Sequence, residues 1–202
     1  ITISRLCSII CLLGCFLLSE FNPLFAQNTT NLTVHDGLPT NVVRCIHKAK
    51  NGVLWFGTDA GLCSYDGREL VIFDQNDGLP NNLVWAITEC EMGNIWVGCY
   101  GGGLVYYDGS TFVDCSKDIP SKSIRTLYYE NGLVHIGTDS HFMVYDGLEY
   151  VCSEDQFQTM KVLKKDTNIF VVSRRRGIYK LVYGKEKRID FSLDSCSYHG
   201  MN

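Results

Sequence analysis

Several kinds of pattern are missing from this sequence of 202 residues, and each absence excludes a class of protein. No segment repeats apolar residues at the helical period over about ten positions, which argues against a mainly helical fold. No apolar run reaches the length of about 18 residues that a membrane-spanning helix usually needs. No cluster of basic residues gives the positively charged face that nucleic-acid binding requires.

The charge balance is slightly acidic, with 22 Asp and Glu against 18 Lys and Arg and a net charge of -4. The only basic runs, Arg174–Arg176 and Lys185–Arg188, are short and are interpreted as solvated turns. We therefore expect no nucleic-acid partner for this chain.

The ten cysteines follow neither a disulfide pattern nor a metal-binding pattern. Cys7, Cys11 and Cys15 lie near the N-terminus, and the remaining seven are odd in number and share no common spacing. A zinc site would show close Cys-x-x-Cys or Cys/His pairs, which are missing. Most of these cysteines are interpreted as small apolar side chains on strands, and one or two disulfides stay open. The sequence predicts no metal and no cofactor.

The N-terminal segment predicts a secretory signal peptide over residues 1–26. Arg5 precedes an apolar run from Leu6 to Leu18, and Ala26 is a small residue suited to a cleavage site. Two alternatives stay open: a retained anchor in the inner membrane, and lipid attachment at Cys15. Each places residues 27–202 in the periplasm or elsewhere outside the cytoplasm.

A repeat of about forty residues dominates the rest of the chain. Three landmarks recur in step, and the prolines of the first landmark are 41 and 40 positions apart. The landmarks are Asp36–Pro39, Asp77–Pro80 and Asp118–Pro120; Leu54–Gly57, Ile95–Gly98 and Val134–Gly137; and Tyr65–Gly67, Tyr107–Gly109 and Tyr145–Gly147. A fixed period of this length is typical of radial or stacked repeat architectures.

Each unit contains four short strands separated by tight-turn signals, such as the Asn51-Gly52 pair. The sequence therefore predicts an all-β protein, a β-propeller of four-stranded antiparallel blades, with units at about 36–76, 77–116, 117–153 and 154–193. A parallel β-helix is the structural alternative. The recurring Trp55, Trp96, Gly57, Gly98 and Gly137 are interpreted as packing residues between blades.

The count of strands predicts an incomplete ring. Thr30–Val34 precedes the first repeat where an outer strand is expected, but three strands that would complete its blade are missing. The fourth unit supplies its own outer strand at Arg188–Phe191. We therefore expect about four blades, the N-terminal fragment of a longer sensor.

The pattern Gly-Leu-Pro-x-Asn-x-Val, followed by Asn-Gly-x-Leu/Ile-Trp-x-Gly and Tyr-Asp-Gly, resembles the two-component regulator propeller repeat. That resemblance implies a periplasmic sensor region of a Bacteroidetes hybrid two-component regulator, in which seven-bladed propellers act in signal transduction through a phosphorelay. It also implies an oligosaccharide ligand, kinase domains downstream and a homodimer partner in the full-length protein. No kinase segment occurs in this sequence, so the chain itself is expected not to be an enzyme.

Ligand contacts are expected in the connections that vary between units, because repeat scaffolds place function in such loops. Trp85 is also a candidate ligand contact, because it does not recur: the equivalent residues of units one and three are Arg44 and Arg125. Structural interpretations stay open: turn acceptors for the aspartates, shielding of the glycine-rich bend for Tyr100, and space filling for Trp85. The candidates are Asp59, Trp85, Tyr100, Asp139, His141, Arg174 and Arg175.

Three functions fit these patterns. The first is an extracytoplasmic ligand-sensing propeller, for oligosaccharides or another small polar ligand. The second is a secreted enzyme with the fold of streptogramin lyases, in which only His141 is placed to be catalytic. The third is a protein-interaction scaffold. Neither a Ser/His/Asp set nor paired carboxylates at catalytic spacing can be argued from the sequence, which favours the first.

Overall fold

The structure, a computed structural model, describes residues 31–153, 156–183 and 189–190. These residues form four antiparallel sheets of four strands, and the strands of each sheet follow one another in sequence. The predicted all-β fold with four-stranded units is confirmed. The predicted signal peptide, Cys196 and the basic run Lys185–Arg188 lie outside the described residues.

The sheets are called blades 1 to 4. Blade 1 contains β1 (Val43–Lys48), β2 (Leu54–Thr58), β3 (Gly61–Tyr65) and β4 (Leu70–Phe73). Blade 2 contains β5 (Val84–Glu89), β6 (Ile95–Cys99), β7 (Gly103–Tyr107) and β8 (Phe112–Asp114). Blade 3 contains β9 (Ile124–Glu130), β10 (Leu133–Thr138), β11 (Phe142–Tyr145) and β12 (Tyr150–Cys152). Blade 4 contains β13 (Thr159–Lys165), β14 (Asn168–Ser173), β15 (Gly177–Tyr183) and β16 (Ile189–Asp190).

Neighbouring blades contact each other through their first strands. The first strand of each blade is called its inner strand. The inner strand β5 contacts β1 and β2, β9 contacts β5 and β6, and β13 contacts β9 and β10. Within the described part of the chain, the four blades do not close a ring. In the same part, no helix is long and apolar enough to cross a membrane.

The Asp-Gly-Leu-Pro motif forms a capped 3-10 turn that leads into a blade. The Asp36 carboxylate accepts hydrogen bonds from the backbone N–H and the hydroxyl of Thr33, both at 2.9 Å. Gly37 follows with a φ of 107°, a left-handed conformation that glycine adopts without steric cost. The second copy repeats this geometry, with Asp74 and Asp77 as the capping pair.

This turn corrects the outer strand predicted at Thr30–Val34. In its described part, residues 31–33 form no strand, and Val34 begins the 3-10 turn. The reason is local: the Thr33 and Asp36 side chains satisfy backbone N–H groups at the start of the turn, so the chain folds back before the motif.

The recurring aromatic position of the second strand lies between blades. Trp55 of blade 1 is 7% exposed, and its ring lies 5.9 Å from that of Tyr107 in blade 2. Trp96 of blade 2 is 8% exposed, and its ring lies 6.0 Å from that of Tyr145 in blade 3. In blade 3 the equivalent residue is His135, which is fully buried.

The recurring glycine of the same strand allows the next blade to approach. A Cβ on Gly98 would lie 2.4 Å from the Ile124 Cγ2 atom, closer than non-bonded carbons come. Equivalent clashes would occur between Gly57 and Val84, and between Gly137 and Thr159. In each pair the clashing partner is the first residue of the next inner strand: Val84 of β5, Ile124 of β9 and Thr159 of β13.

The six cysteines in the described residues are free thiols, so no disulfide is present there. Cys63, Cys90 and Cys99 are buried, as expected for small apolar side chains. Burial raises the pKa of the Cys45 and Cys99 thiols to about 12, which keeps them protonated.

Candidate functional site

Each inner strand carries a β-bulge at its second residue. In β1 the register against β2 skips from Val43 to Cys45, which leaves Arg44 unpaired in the ladder. The same skip occurs in the other three blades. Bulges re-aim side chains and are frequent beside binding sites. The four bulge residues are Arg44, Trp85, Arg125 and Met160.

Four of the seven residues predicted from the sequence to bind a ligand occupy one equivalent position, directly after the second strand of each blade. The backbone N–H of each donates to the carbonyl of a residue just ahead of the inner strand. These hydrogen bonds join Asp59 to Val42 (3.3 Å), Tyr100 to Leu83 (2.8 Å), Asp139 to Ser123 (3.2 Å) and Arg174 to Gln158 (3.1 Å). The end of the blades that holds these residues and the bulges is called the loop face.

On the loop face, residues of three blades form a stacked cluster. The rings of Trp85 and Tyr100 stack with centroids 4.5 Å apart and an angle of 22°. The Arg44 guanidinium carbon lies 5.4 Å from the Trp85 ring, and that of Arg125 lies 5.0 Å from the same ring. With Asp59, these residues make up the stacked cluster, in which cation–π contacts fix the arginines on the aromatic rings.

The charges within the stacked cluster are only partly balanced. Arg44 donates two hydrogen bonds of 2.6 Å to the Asp59 carboxylate. This pairing lowers the pKa of Asp59 and raises that of Arg44. Among the described residues, Arg125 forms no ion pair, so its positive charge stays uncompensated by a carboxylate.

Two donors in the stacked cluster lack acceptors in the protein. Trp85 Nε1 and Arg125 Nε are buried and have no hydrogen-bond partner among the described residues. A buried donor without an acceptor costs free energy, of the order of 1–3 kcal/mol. An acceptor oxygen supplied at this point would remove that cost.

Asp139 and His141 of blade 3 lie in the equivalent connection but not in the stacked cluster. The Asp139 carboxylate accepts a hydrogen bond of 2.6 Å from the Ser121 hydroxyl. The His141 Nδ1 atom lies 2.9 Å from the Ser140 hydroxyl. In the described ranges, no three His, Cys, Asp or Glu side chains are grouped as metal ligands.

The interpretation of the aspartates as turn acceptors was wrong. In both connections the turn acceptor is a threonine hydroxyl: that of Thr58 accepts from the Ala60 N–H, and that of Thr138 accepts from the N–H groups of Ser140 and His141. The Asp59 and Asp139 carboxylates bond to side chains instead.

Arg174 and Arg175 line a cavity of about 400 Å³ beside blade 4. It opens to solvent and is lined by residues of the third blade's loop, of the segment ahead of β13 and of the loop after β14; we call it the arginine cavity. Its lining residues are Asp139, Ser140, Gln156, Phe157, Gln158, Ser173, Arg174, Arg175 and Arg176.

Sequence reasoning missed Arg44 and Arg125 as site residues. The repeat alignment had placed both at the position of Trp85, and that coincidence was the available signal. What the sequence did not reveal is the bulge, because a bulge is defined by the register of two paired strands.

Comparison with known proteins bears on the repeat and on the fold. Residues 37–60 match the family model described as two component regulator propeller. The first unit therefore carries this repeat, and the resemblance found in the sequence is confirmed. Among curated proteins, none matches the chain.

Three solved structures share the fold. The extracellular domain described for the hybrid two component system BT4673 of B. thetaiotaomicron superposes with a TM-score of 0.63 at 19% identity over 76% of this chain. That of BT3049 from the same organism gives 0.60 at 21% identity over 69%. A streptogramin B lyase gives 0.61 at 13% identity over 72% of this chain and 53% of its own.

These similarities establish the propeller fold, and at such identities they establish no more. The predicted β-propeller is confirmed. The chain spans 21% of the length of each of the two extracellular domains.

Proposed function

We propose that this chain is part of an extracytoplasmic sensor propeller of a two-component regulator, and that it binds a polar ligand, an oligosaccharide, on its loop face. The stacked cluster carries this proposal. The bulge recurs in all four described blades, while its side chain is arginine in blades 1 and 3, tryptophan in blade 2 and methionine in blade 4, so one backbone scaffold presents different side chains.

The chemistry of the stacked cluster suits a sugar. Its aromatic rings and guanidinium groups are held in place by one another, so little side-chain freedom is lost when a ligand binds. The Asp59 carboxylate can accept from hydroxyl groups, and a shift of the Trp85 and Arg125 side chains would let their buried, unpartnered donors reach ligand oxygens. Few well-placed polar groups beside aromatic rings are typical of small-molecule sites.

In this proposal the chain itself is not an enzyme. Binding outside the cytoplasm, after removal or membrane retention of residues 1–26, alters the propeller, and kinase domains of the full-length dimeric regulator read that change. The lyase alternative has the same fold, but His141 is engaged with Ser140 and faces no partner set for catalysis in the described residues.

A glycan-binding screen of the purified protein, followed by calorimetry, tests the proposal. We expect an oligosaccharide ligand whose affinity falls at least about tenfold in Trp85→Ala and Tyr100→Ala, because each loses one partner of the stack. Arg68→Gln is the matched control, since Arg68 is exposed in the β3–β4 turn at the opposite end of blade 1.

Two results would contradict the proposal. A folded protein that binds no glycan in the screen has no oligosaccharide ligand. A glycan that binds with unchanged affinity to Trp85→Ala and Tyr100→Ala uses another part of the molecule.

A further inference from the structure

The arginine cavity shares no lining residue with the stacked cluster, and hydrogen bonds anchor its walls. Arg174 is held to Gln158 twice, by its backbone N–H at 3.1 Å from the carbonyl and by Nη1 at 3.3 Å from Oε1. The Phe157 N–H donates to the Ser140 carbonyl at 2.7 Å, which ties the segment ahead of β13 to blade 3. The Phe157 ring is 8% exposed and lies 4.9 Å from that of Tyr179.

The two sides of the arginine cavity carry opposite charges. Three consecutive arginines, Arg174–Arg176, form one side, and Asp139 lies on the lining contributed by blade 3. The Ser121 hydroxyl fixes the Asp139 carboxylate by its 2.6 Å hydrogen bond. Arg174 and Arg175 form no ion pair with the carboxylates of the described residues. The cavity therefore combines an excess of positive charge with one oriented acceptor.

The equivalent connections of the other blades have no such charge. Residues 58–61, 99–103 and 138–141 contain neither Lys nor Arg. Each guanidinium offers a fork of N–H donors that matches pairs of anion oxygens, so three consecutive arginines beside a cavity suit the recognition of an anion. The volume also lies within the range of about 300–1,000 Å³ that small-molecule sites occupy.

We propose that the arginine cavity binds the carboxylate or sulfate group of an acidic sugar, with Arg174 and Arg175 as donors to the anion and Asp139 as acceptor for a neighbouring hydroxyl group. This inference rests on the proposed function and names the class of oligosaccharide that the loop face recognises. Arg174–Arg176 are exposed turn residues, as the sequence predicted, and the proposal gives this turn a role in specificity.

The test uses a glycan array in which each uronate-bearing or sulfated oligosaccharide stands beside its neutral counterpart. Calorimetry then compares the best ligands on the wild-type protein, Arg175→Gln, Asp139→Asn and the control Arg68→Gln. We expect acidic glycans only, an affinity at least about tenfold lower in Arg175→Gln, an unchanged affinity in Arg68→Gln, and weaker binding as the salt concentration rises.

Carboxylate and sulfate ligands are distinguished by the array, and inorganic sulfate is titrated as a separate probe. Sulfate that binds as tightly as the glycans would reduce the cavity to a simple anion site and overturn the role of the sugar. Neutral glycans bound through Trp85 would overturn the inference but leave the proposed function standing. If no glycan binds to the folded protein, both fail.

Circular dichroism of each variant shows whether it is folded. Arg174→Lys adds a second check, because it keeps the charge but loses the guanidinium fork. We expect an intermediate loss of affinity in this variant, and an affinity equal to that of the wild type would overturn recognition by paired N–H donors.

Discussion

The blade interfaces and the loop face are built by the same four repeats, yet they follow opposite rules. At the interfaces the residue type recurs: glycine stands at the close approach in blades 1 to 3, and tryptophan packs between blades 1 and 2 and between blades 2 and 3. At the bulges the backbone conformation recurs in all four blades, whereas the side chain varies among arginine, tryptophan and methionine, in Arg44, Trp85, Arg125 and Met160. The recurring glycine thus marks close packing of blades, and a recurring backbone with varied side chains marks a surface open to specialisation.

The two tryptophans of blade 2 offer the largest test of this comparison. Trp96→Ala should lower the free energy of unfolding by about 3–5 kcal/mol, because it leaves a cavity between two blades. Trp85→Ala should lower it by only about 1–2 kcal/mol, since its contacts are one ring stack and two cation–π contacts on a partly exposed face. Urea denaturation followed by circular dichroism measures both free energies of unfolding. Equal losses in the two variants would contradict the difference between the blade interface and the loop face.

Blade 3 departs from the interface rule, with His135 in place of tryptophan. The ring is fully buried between Tyr128 and Phe142, at centroid distances of 5.8 and 6.2 Å. Its Nδ1–H group donates to the Tyr128 carbonyl at 3.2 Å, which fits the neutral imidazole. Burial lowers the pKa of His135 from 6.5 to about 4.

The buried His135 should make the stability of the protein depend on pH. Between pH 6.5 and about 4 the unfolded chain binds a proton at His135 and the folded chain does not. The free energy of unfolding is therefore complete above pH 6.5 and falls as the pH drops towards 4, by about 3 kcal/mol.

Denaturation at several pH values in this window, on the wild type and on His135→Phe, measures the effect. His135→Phe should lose that slope, whereas His35→Gln, a change at an exposed histidine, should keep it. The same slope in wild type and His135→Phe would mean that other groups cause the pH dependence.

The sequence predicted the strands well because each hairpin is specified locally, by turn pairs such as Asn51-Gly52 and by alternating apolar residues. The sequence prediction failed at Thr33, whose extended backbone caps the 3-10 turn and does not belong to a strand. For the site, it identified Trp85 and Tyr100 separately. Their stacking with Arg44 and Arg125 depends on bulges and on the angle between blades, which no local pattern encodes.

The smallest effect concerns the glycine of the close approach. Gly98→Ala should lower the free energy of unfolding by about 2 kcal/mol, because the added Cβ would lie 2.4 Å from Ile124 Cγ2 and the blades would have to separate. Gly109→Ala is the matched control: its Cβ would meet nothing within 4 Å, and only the left-handed φ of 99° adds strain, of about 1 kcal/mol.

A double-mutant cycle decides whether the clash causes the loss. Ile124→Ala removes the Cγ2 atom at 2.4 Å but leaves the Cβ atoms of residues 124 and 86 at 3.0 and 3.3 Å, so Gly98→Ala should cost clearly less in that background without becoming neutral, a coupling that distant sites do not show. Blade 4 carries Val172 at the position of this glycine, and no fifth inner strand lies among the described residues to clash with it. If Gly98→Ala costs the same with and without the Ile124 side chain, the glycine recurs for a reason other than blade contact, and the contrast with Val172 loses its physical cause.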